Sequence, residues 1–600
     1  MKITRIQIEN FRNFRSIDVV LDGDIVIVGE NSVGKSNLLY ALRLIFDPTL
    51  PDSARQLTQG DFWDGLGEPL ESERILVAVE LQEFDKDLKL LSQLTDFRLD
   101  DDADTVRLSY EFRPVEEVKG QPKSSDDYEF VCYGGEADTK HFGHELRRRI
   151  AMDLLPALRD AEGDLAAWRR SPLRPLLERA FSSVPAQDLA EVRDSVRDAT
   201  KELADFPSVQ KLQTSLRELF TSMSGPKQDI DPSLGFATTD VTKLFRNIRL
   251  LIDGGLRTIG EASLGSANVA FLTLKALELR QLMSDNHRDH TLLAIEEPEA
   301  HLHPHLQRSV YRQLFEKFPV DDKKQPLSLL LTTHSPHIAS VAPLRSLVLL
   351  RESEQDGTAA ASAADIELTD AEVEDLTRYL DVTRAEMLFA RGIILVEGDA
   401  EKFLLPVFAA SMGHDLDQLG IGVCSVAGTN FTPYARFLTA LGIPFAIVTD
   451  WDPMGDDKLP LGFNRSWRLV GVIEETRTGK GQAALIAKIK KMDDYDRFCE
   501  VCEEYGIFSN SHTLEVDLFK AKHLVDSVVA TLREHKLSKD RAAWVDGWET
   551  KPASLVEEDY LALIESIGKG RFAQRLASRV AGGAPPDYIE RAIEHVVARV

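Results

Sequence analysis

The sequence predicts an α/β protein in two parts, a split α/β domain with a helical insertion and then a second α/β domain with helical additions. Three observations carry this prediction. GENSVGKS, Gly29 to Ser36, sits between the apolar strand DIVIV and a helix expected over Lys35 to Phe46. After a long helical stretch, TLLAIEEPEAHLHP and LSLLLTTHSP restore the alternation of strand and helix. The pattern restarts at Arg391, where ILVEGDAEKF and then IPFAIVTDWDP each run an apolar strand into carboxylates.

Composition bounds what such a chain can be. At 600 residues, with 43% apolar and 28% charged residues, it is too long for one core and is expected to hold two to four domains. The opening MKITRIQIENF alternates as a strand does and lacks an apolar leader, and no run approaches a membrane span, so a cytoplasmic protein with no membrane partner is expected. Four cysteines make no disulfide framework, and Cys499 and Cys502, a lone CxxC, read as two thiols on a helix face. The net charge of -27 argues against a protein that coats nucleic acid, but not against a nucleic-acid enzyme with a local basic track.

Residues 1 to about 115 read as strands around the Lys35–Phe46 helix. From about Glu145 to Leu219, including HELRRRIAMDLL, apolar residues fall at helical spacing, and ESEQDGTAAASAAD, Glu352 to Asp365, reads as a small-residue linker or loop.

GENSVGKS fits the phosphate loop. Its backbone N–H groups can cradle phosphates at a helix N-terminus, Lys35 can reach the β- and γ-phosphates, and the Ser36 hydroxyl can hold Mg²⁺. At the end of the TLLAIEE strand, Glu296 can hold Mg²⁺ through water and Glu297 can orient or deprotonate an attacking water. Pro298 and Glu299 also suit an ordinary first helical turn. His334 ends the next apolar strand, where a histidine can contact the γ-phosphate or simply be a satisfied loop residue.

In this order the elements resemble an ABC-type ATPase head of the SMC-like kind. The resemblance implies ATP with one Mg²⁺, contacts from Gly29, Asn31, Gly34, Lys35, Ser36 and Asn37, and a signature region in SLGSANVAF. There Ser263 and Gly265 would contact ATP bound to a second head. The segment departs from LSGGQ, and Glu296 stands where Asp is more common. Gln59 and Gln82 are both available as a glutamine-loop residue. His301, His303 and His305 read as structural or dimer contacts.

Four carboxylates follow the ATPase segment. Asp450 and Asp452 lie two apart at a strand end, a spacing that sends both to one side. Glu397 ends an earlier strand, and Glu401, four residues on, can face the same place from the first turn of a helix. Such convergence is costly without cations, so divalent metal is the expected partner. Asp399 reads as a helix-start carboxylate.

A strand ending in Glu-Gly-x-x-Glu with a later Asp-x-Asp resembles the Toprim domain of topoisomerases, primases and certain nucleases. An ABC head joined to it is similar to the OLD (overcoming lysogenization defect) family of ATP-dependent endonucleases, over nearly the whole chain. The resemblance implies residues 1–144 and 226–385 as the ATPase head, 145–225 as a helical dimerisation insertion, and 386–600 as the Toprim nuclease domain with its helical C-terminal region. It adds Glu515, with Asp517 as a weaker substitute, to the metal-binding acids Glu397, Glu401, Asp450 and Asp452, and places Lys569 beside the metals.

The expected chemistry is two-metal hydrolysis of DNA with Mg²⁺ or Mn²⁺. The subclass it looks closest to works with a superfamily-one helicase and includes the Gabija nuclease subunit. Expected partners are therefore DNA, a second copy of the chain or a higher homo-oligomer, and such a helicase, in anti-phage defence or DNA processing. The alternative is a non-cleaving SMC-like ATPase that binds DNA or proteins, its acids merely structural.

Overall fold

The computed structural model describes every residue except 67–72, 116–117, 119–121, 123, 158, 205, 225–245, 247, 286, 301, 318–326, 354, 453–458, 482 and 493. His301 and the expected boundary at 225/226 lie outside the described residues. The chain divides into two compact units, one of Met1–Leu155, Leu292–Glu299 and Pro304–Val600, the other of Pro156–Thr291 and Ala300–His303.

In chain order the strands are β1 (Lys2–Phe11), β2 (Phe14–Val20), β3 (Ile25–Gly29), β4 (Ile75–Gln82), β5 (Val106–Pro114), β6 (Tyr128–Gly134), β7 (Ile150–Leu155), β8 (Leu251–Ile252), β9 (Arg257–Thr258), β10 (His290–Glu296), β11 (Leu327–Thr333), β12 (Leu347–Ser353), β13 (Gly357–Ser362), β14 (Gly392–Val396), β15 (Ile421–Ser425), β16 (Phe445–Thr449) and β17 (Ile507–Ser509). Eleven of them form one sheet in the order β6-β5-β4-β1-β2-β13-β12-β3-β11-β10-β7. β1 alternates buried and accessible residues and pairs antiparallel with β2 and β4, as a strand with one buried face does. β3, IVIVG, is buried throughout and lies parallel to β11 and β12. Buried on both faces, it cannot alternate, and its β-branched run suits that position.

Two local expectations are corrected. Ile150–Leu155 is a strand at the sheet edge, not helix, and only His144–Arg149 before it is helical. A short apolar run such as IAMDLL fits either period, and the sheet edge decides it. The small-residue stretch after Glu352 is not a loop: Gly357–Ser362 pairs antiparallel with β12 and touches β2. Gly357, at φ 72, lies against the Asn13 carbonyl and Trp63, an approach too close for a Cβ.

A second sheet, all parallel, runs β15-β14-β16-β17. β14 (GIILV) and β16 (FAIVT) are buried end to end, because helices cover both faces of a parallel sheet. The helices Asp399–Ser411, Val525–Arg533, Lys569–Val580 and Asp587–Val597 share its core, with Leu404, Phe408, Leu576 and Ile589 fully buried. This is the α/β class expected, and the structure adds that the first sheet is large and mixed and the second all parallel.

The second unit is mainly helical, with Leu173–Ser182, Ala186–Ala204, Pro207–Ser224 and Leu264–Ser284, and a small β8–β9 hairpin. Arg159 Nε donates to Asn268 Oδ1 at 3.0 Å and Arg179 pairs with Asp285 at 2.7 Å, tying its helices together. Among the described residues no helix is long and apolar enough to cross a membrane.

Candidate functional site

At the nucleotide loop, β3 delivers the chain to Gly29 (φ 151) and Gly34 (φ 95), both needing glycine's freedom. A Cβ on Gly34 would meet the Asn13 side chain at 1.9 Å. Lys35 opens the helix Lys35–Phe46, and its Nζ donates to the carbonyls of Gly29 (3.1 Å) and Glu30 (2.6 Å) and lies 3.5 Å from His334 Nδ1. Burial pulls its ammonium down to about 8, although Glu297, Glu299 and Glu30 oppose the shift. Asn31 and Ser36 are exposed at the loop surface. Asn37 holds the loop in place, its Oδ1 accepting from Arg12 Nη1 (2.9 Å) and its Nδ2 donating to Asn13 Oδ1 (2.7 Å). Asn13 then donates to the Val33 carbonyl (2.8 Å) and Thr358 Oγ1 (2.7 Å). β13 therefore braces the loop from behind.

Glu296 ends β10, and Glu297 follows at φ 41, a left-handed value costly for a residue with a Cβ, its N–H donating to the Thr332 carbonyl at 2.9 Å. The Glu297 carboxylate lies 3.7 Å from His334 Nε2. Burial first, and then Lys35, lower the His334 pKa against the pull of Glu297, which keeps the ring neutral at pH 7. Glu299 fixes that histidine, accepting from its backbone N–H at 2.6 Å and from Thr333 Oγ1 at 2.9 Å. The signal for Glu299 in the sequence is its place as the third acid of EEPE, which a helix start explains equally well.

Ser263 caps the helix Leu264–Ser284, accepting from the Ser266 N–H at 3.2 Å, and Gly265 is buried in its first turn. Both belong to the second unit. Gln82 donates to Thr105 Oγ1 at 2.7 Å, while Gln59 sits exposed in a short turn. His303 and His305 flank the start of the helix Pro304–Lys317.

The second site forms where β14 and β16 end. Glu397 Oε1 accepts from Thr449 Oγ1 (2.6 Å), the Asp450 N–H (2.9 Å) and Arg465 Nη1 (2.6 Å). Glu401, one turn into the helix Asp399–Ser411, is buried and accepts from the Gly398 N–H at 3.2 Å. It therefore also serves as the helix-start carboxylate that its position allowed. Asp450 accepts from the Asn510 side chain and, at 3.1 Å, from the Leu514 N–H that opens the helix Leu514–Lys520. Glu515, in that first turn, is buried, and its Oε1 lies 3.4 Å from Lys569 Nζ. Asp517 instead accepts from the Ser511 N–H at 2.7 Å, and Asp399 is exposed at its helix start.

Burial, then Glu397 and Glu401, push Asp450 up from 3.8 to about 8. Burial, then Glu515 and Glu397, push Glu401 up from 4.5 to about 7. Burial draws the Lys569 ammonium down, but Glu515 and Asp450 outweigh it and hold the group above its ordinary value. Glu397, Glu401, Asp450, Glu515 and Lys569 thus share one electrostatic neighbourhood.

Asp452 reaches the cluster differently. It has left the strand, at φ 60, so period-two alternation does not place it, and its Oδ2 accepts from Arg465 Nη2 at 2.7 Å. Nothing in the sequence marks Arg465, one arginine in a helix. Here its guanidinium bridges Glu397 and Asp452. Among the described residues no three of these side chains form a ready-made metal cage. The donor set nonetheless suits a hard cation: it is all oxygen, two of its acids are held near protonation, and Glu515 Oε2 is buried with no hydrogen-bond partner.

Comparison with known proteins finds a domain around each of these clusters. A family model described as an AAA domain, with the AbiEii toxin and the type IV TA system in its description, matches residues 25–340. The TOPRIM domain model of overcoming lysogenization defect protein-like proteins matches residues 388–452. The C-terminal region of the Burkholderia pseudomallei OLD protein is 41% identical to this chain, over 35% of this chain and 100% of that one, with a TM-score of 0.31. The chain belongs to the OLD family.

Two longer relatives are an OLD nuclease of Thermus scotoductus, 26% identical over 75% of this chain and 82% of that protein, and the endonuclease GajA of Bacillus cereus (strain VD045), 23% identical over 87% and 90%. The two OLD-family domains use nucleotide and divalent metal.

In this OLD-family chain the phosphate loop is tied to the foot of β14, the strand whose other end leads to Glu397. Arg391, at the foot of β14, pairs both its Nε (2.8 Å) and Nη2 (3.0 Å) with the carboxylate of Glu30 in the phosphate loop. Arg351 Nη2 donates to the Arg391 carbonyl at 2.7 Å and steadies the contact. The CxxC of the same OLD-family chain is two thiols on the helix Tyr495–Glu504, where burial raises both above their ordinary pKa.

Arg465→Met tests the bridge. Removing one partner leaves two carboxylates uncompensated, so the metal-free protein is expected to lose about 3 kcal/mol and unfold at lower temperature. Added Mg²⁺ should restore most of the loss. Calorimetry with and without the ion measures both, and an unchanged melting temperature would refute the role.

Proposed function

We propose that this OLD-family chain is an ATPase-coupled, metal-dependent endonuclease that hydrolyses DNA phosphodiester bonds, in anti-phage defence or DNA processing. The observation that carries the reading is the convergence of Glu397, Glu401, Asp450 and Glu515 with Lys569 beside an ATPase of the same family. Relatives named OLD nuclease and endonuclease GajA support it.

Glu397, Glu401, Asp450, Asp452 and Glu515 would hold two Mg²⁺ or Mn²⁺ ions. When bound, these ions supply Lewis-acid activation of water and offset charge on the leaving 3′ oxygen. Lys569, held by Glu515, presents a fixed positive charge to a scissile phosphate oxygen. Asn510 and the Leu514 N–H hold the Asp450 carboxylate in place, where a cation would take the position of its proton. At the other site Lys35, Ser36 and Glu296 would hold ATP with one Mg²⁺, Glu297 orients the attacking water, and neutral His334 donates toward the γ-phosphate.

Ser263 and Gly265 would meet nucleotide held by a second copy, which makes a homodimer or higher oligomer part of the reading, with the helical segment 145–225 as its dimerisation element. A superfamily-one helicase partner follows from the subclass. The decisive experiment is a supercoiled-plasmid assay across metals and nucleotides. Nicking or linearisation with Mg²⁺ or Mn²⁺ is expected, and no cutting under any combination would reject the reading.

One observation favours the second reading, a non-cleaving SMC-like ATPase that binds DNA or proteins. Arg465 already compensates Glu397 and Asp452, as a purely structural cluster would require. The same plasmid assay decides between them.

The acid cluster also sets a pH dependence. Asp450 and Glu401 have folded values, about 8 and about 7, above their unfolded ones. Their contribution to stability is therefore fully present below about pH 4 and is lost as pH rises through 7 to 8. Metal-free protein should melt at progressively lower temperature from about pH 4 to 8, and the rise in melting temperature given by Mn²⁺ should grow over that window, since the cation displaces those protons. A metal-induced shift independent of pH would contradict the assignment.

A further inference from the structure

In a chain of net charge -27, the stretch from Leu461 to Lys491 holds seven basic residues against two acidic ones. It folds as two helices, Leu461–Thr478 and Ala483–Ile489, inserted between β16 and β17. They pack against each other at Gly471, where a Cβ would lie 3.0 Å from Ile486 Cδ1. That contact brings the end of the second helix back over the first. Lys490 Nζ sits 3.6 Å above the Trp467 ring, and the Arg468 guanidinium lies 5.3 Å from the same ring. Trp467 is itself held by its Nε1–H, which donates to Asn464 Oδ1 at 3.2 Å.

Arg468, Lys488, Lys490 and Lys491 are all exposed, and none pairs with a carboxylate among the described residues. By contrast, in the C-terminal helices Arg533 is paired with Asp546 and Glu549, and Arg575 and Arg579 with Glu534. One turn before Arg468, the same helix carries Arg465 to Glu397 and Asp452. A single helix therefore connects the acid cluster to an uncompensated basic surface.

We propose that this surface is the track on which the phosphates of duplex DNA lie as the strand reaches the acid cluster, with Trp467 setting the positions of Lys490 and Arg468. The proposal rests on the nuclease reading. A polyanion is repelled by the rest of so acidic a molecule and by the buried acids themselves, so it needs a local surface of opposite sign to approach them. These cations contact phosphates and read no bases, so the track binds without sequence preference.

The test is the variant Arg468→Glu/Lys490→Glu/Lys491→Glu, with Arg468→Gln/Lys490→Gln/Lys491→Gln as a milder companion should charge reversal disturb folding. Duplex binding is measured by fluorescence anisotropy across KCl concentrations, with Ca²⁺ present to limit cutting. The charge-reversed protein should bind on the order of 100-fold more weakly, with the slope of log affinity against log salt reduced by about 3. The Gln variant should show the same slope change with a smaller loss. The Mn²⁺-induced rise in melting temperature and the DNA-independent ATPase rate should match wild type.

Wild-type affinity and slope in both variants would overturn the track and leave the surface to an acidic protein partner. A wild-type protein that neither binds nor cuts duplex DNA would overturn the nuclease reading itself, and the track with it.

Discussion

Asp450→Asn is expected to lower DNA cutting by about 10³-fold or more, because a metal ligand supplies several kcal/mol of transition-state stabilisation. ATP hydrolysis should persist. This substitution separates catalysis from folding unusually well. Burial and the neighbouring Glu397 and Glu401 hold Asp450 near protonation at neutral pH, so a neutral amide resembles the form present without a cation. The Asn Oδ1 can still accept from the Leu514 N–H. The metal-free variant should therefore melt at or above the wild-type temperature while losing the stabilisation that Mn²⁺ confers. Plasmid cleavage and thermal shift together check this; cutting at the wild-type rate would remove Asp450 from the reaction.

Lys35→Ala is expected to reduce ATP hydrolysis by about 10²- to 10³-fold, the usual cost of removing a fixed positive group from a developing anionic charge. The structure adds a consequence. Lys35 Nζ donates to the carbonyl of Glu30, and the carboxylate of Glu30 grips Arg391 at the foot of β14, the strand that ends at Glu397. Whatever ATP does to cutting in the wild type should therefore disappear in Lys35→Ala, while cutting without nucleotide remains. Rates measured with and without ATP read both effects, and a retained nucleotide response would refute the assignment of the loop.

Much of both sites can be read in one dimension because their chemistry is local in sequence. The phosphate loop is eight consecutive residues whose glycines, lysine and serine must follow one another between a strand and a helix. Glu397 and Glu401 likewise stand on either side of one strand-to-helix turn. Where a reading needs only a strand end, as for Asp450, the apolar run before it suffices. IAMDLL and GTAAAS mislead because short runs of apolar or small residues take their conformation from the sheet edge or neighbour they meet, which lies far away in the chain.

The sequence alone determined the strand, loop and helix around GENSVGKS and the acids at the ends of two later strands, since each follows from periodicity and spacing within a few residues. Only the tertiary structure decided how those groups are held. Arg465 bridges Glu397 to Asp452 across 68 and 13 residues. Lys569 meets Glu515 from a helix at the far end of the second domain. Glu30 finds Arg391 across 361 residues. The physical reason is the same in each case: a charge pair depends on distance in space and on burial, and neither is encoded by spacing along the chain.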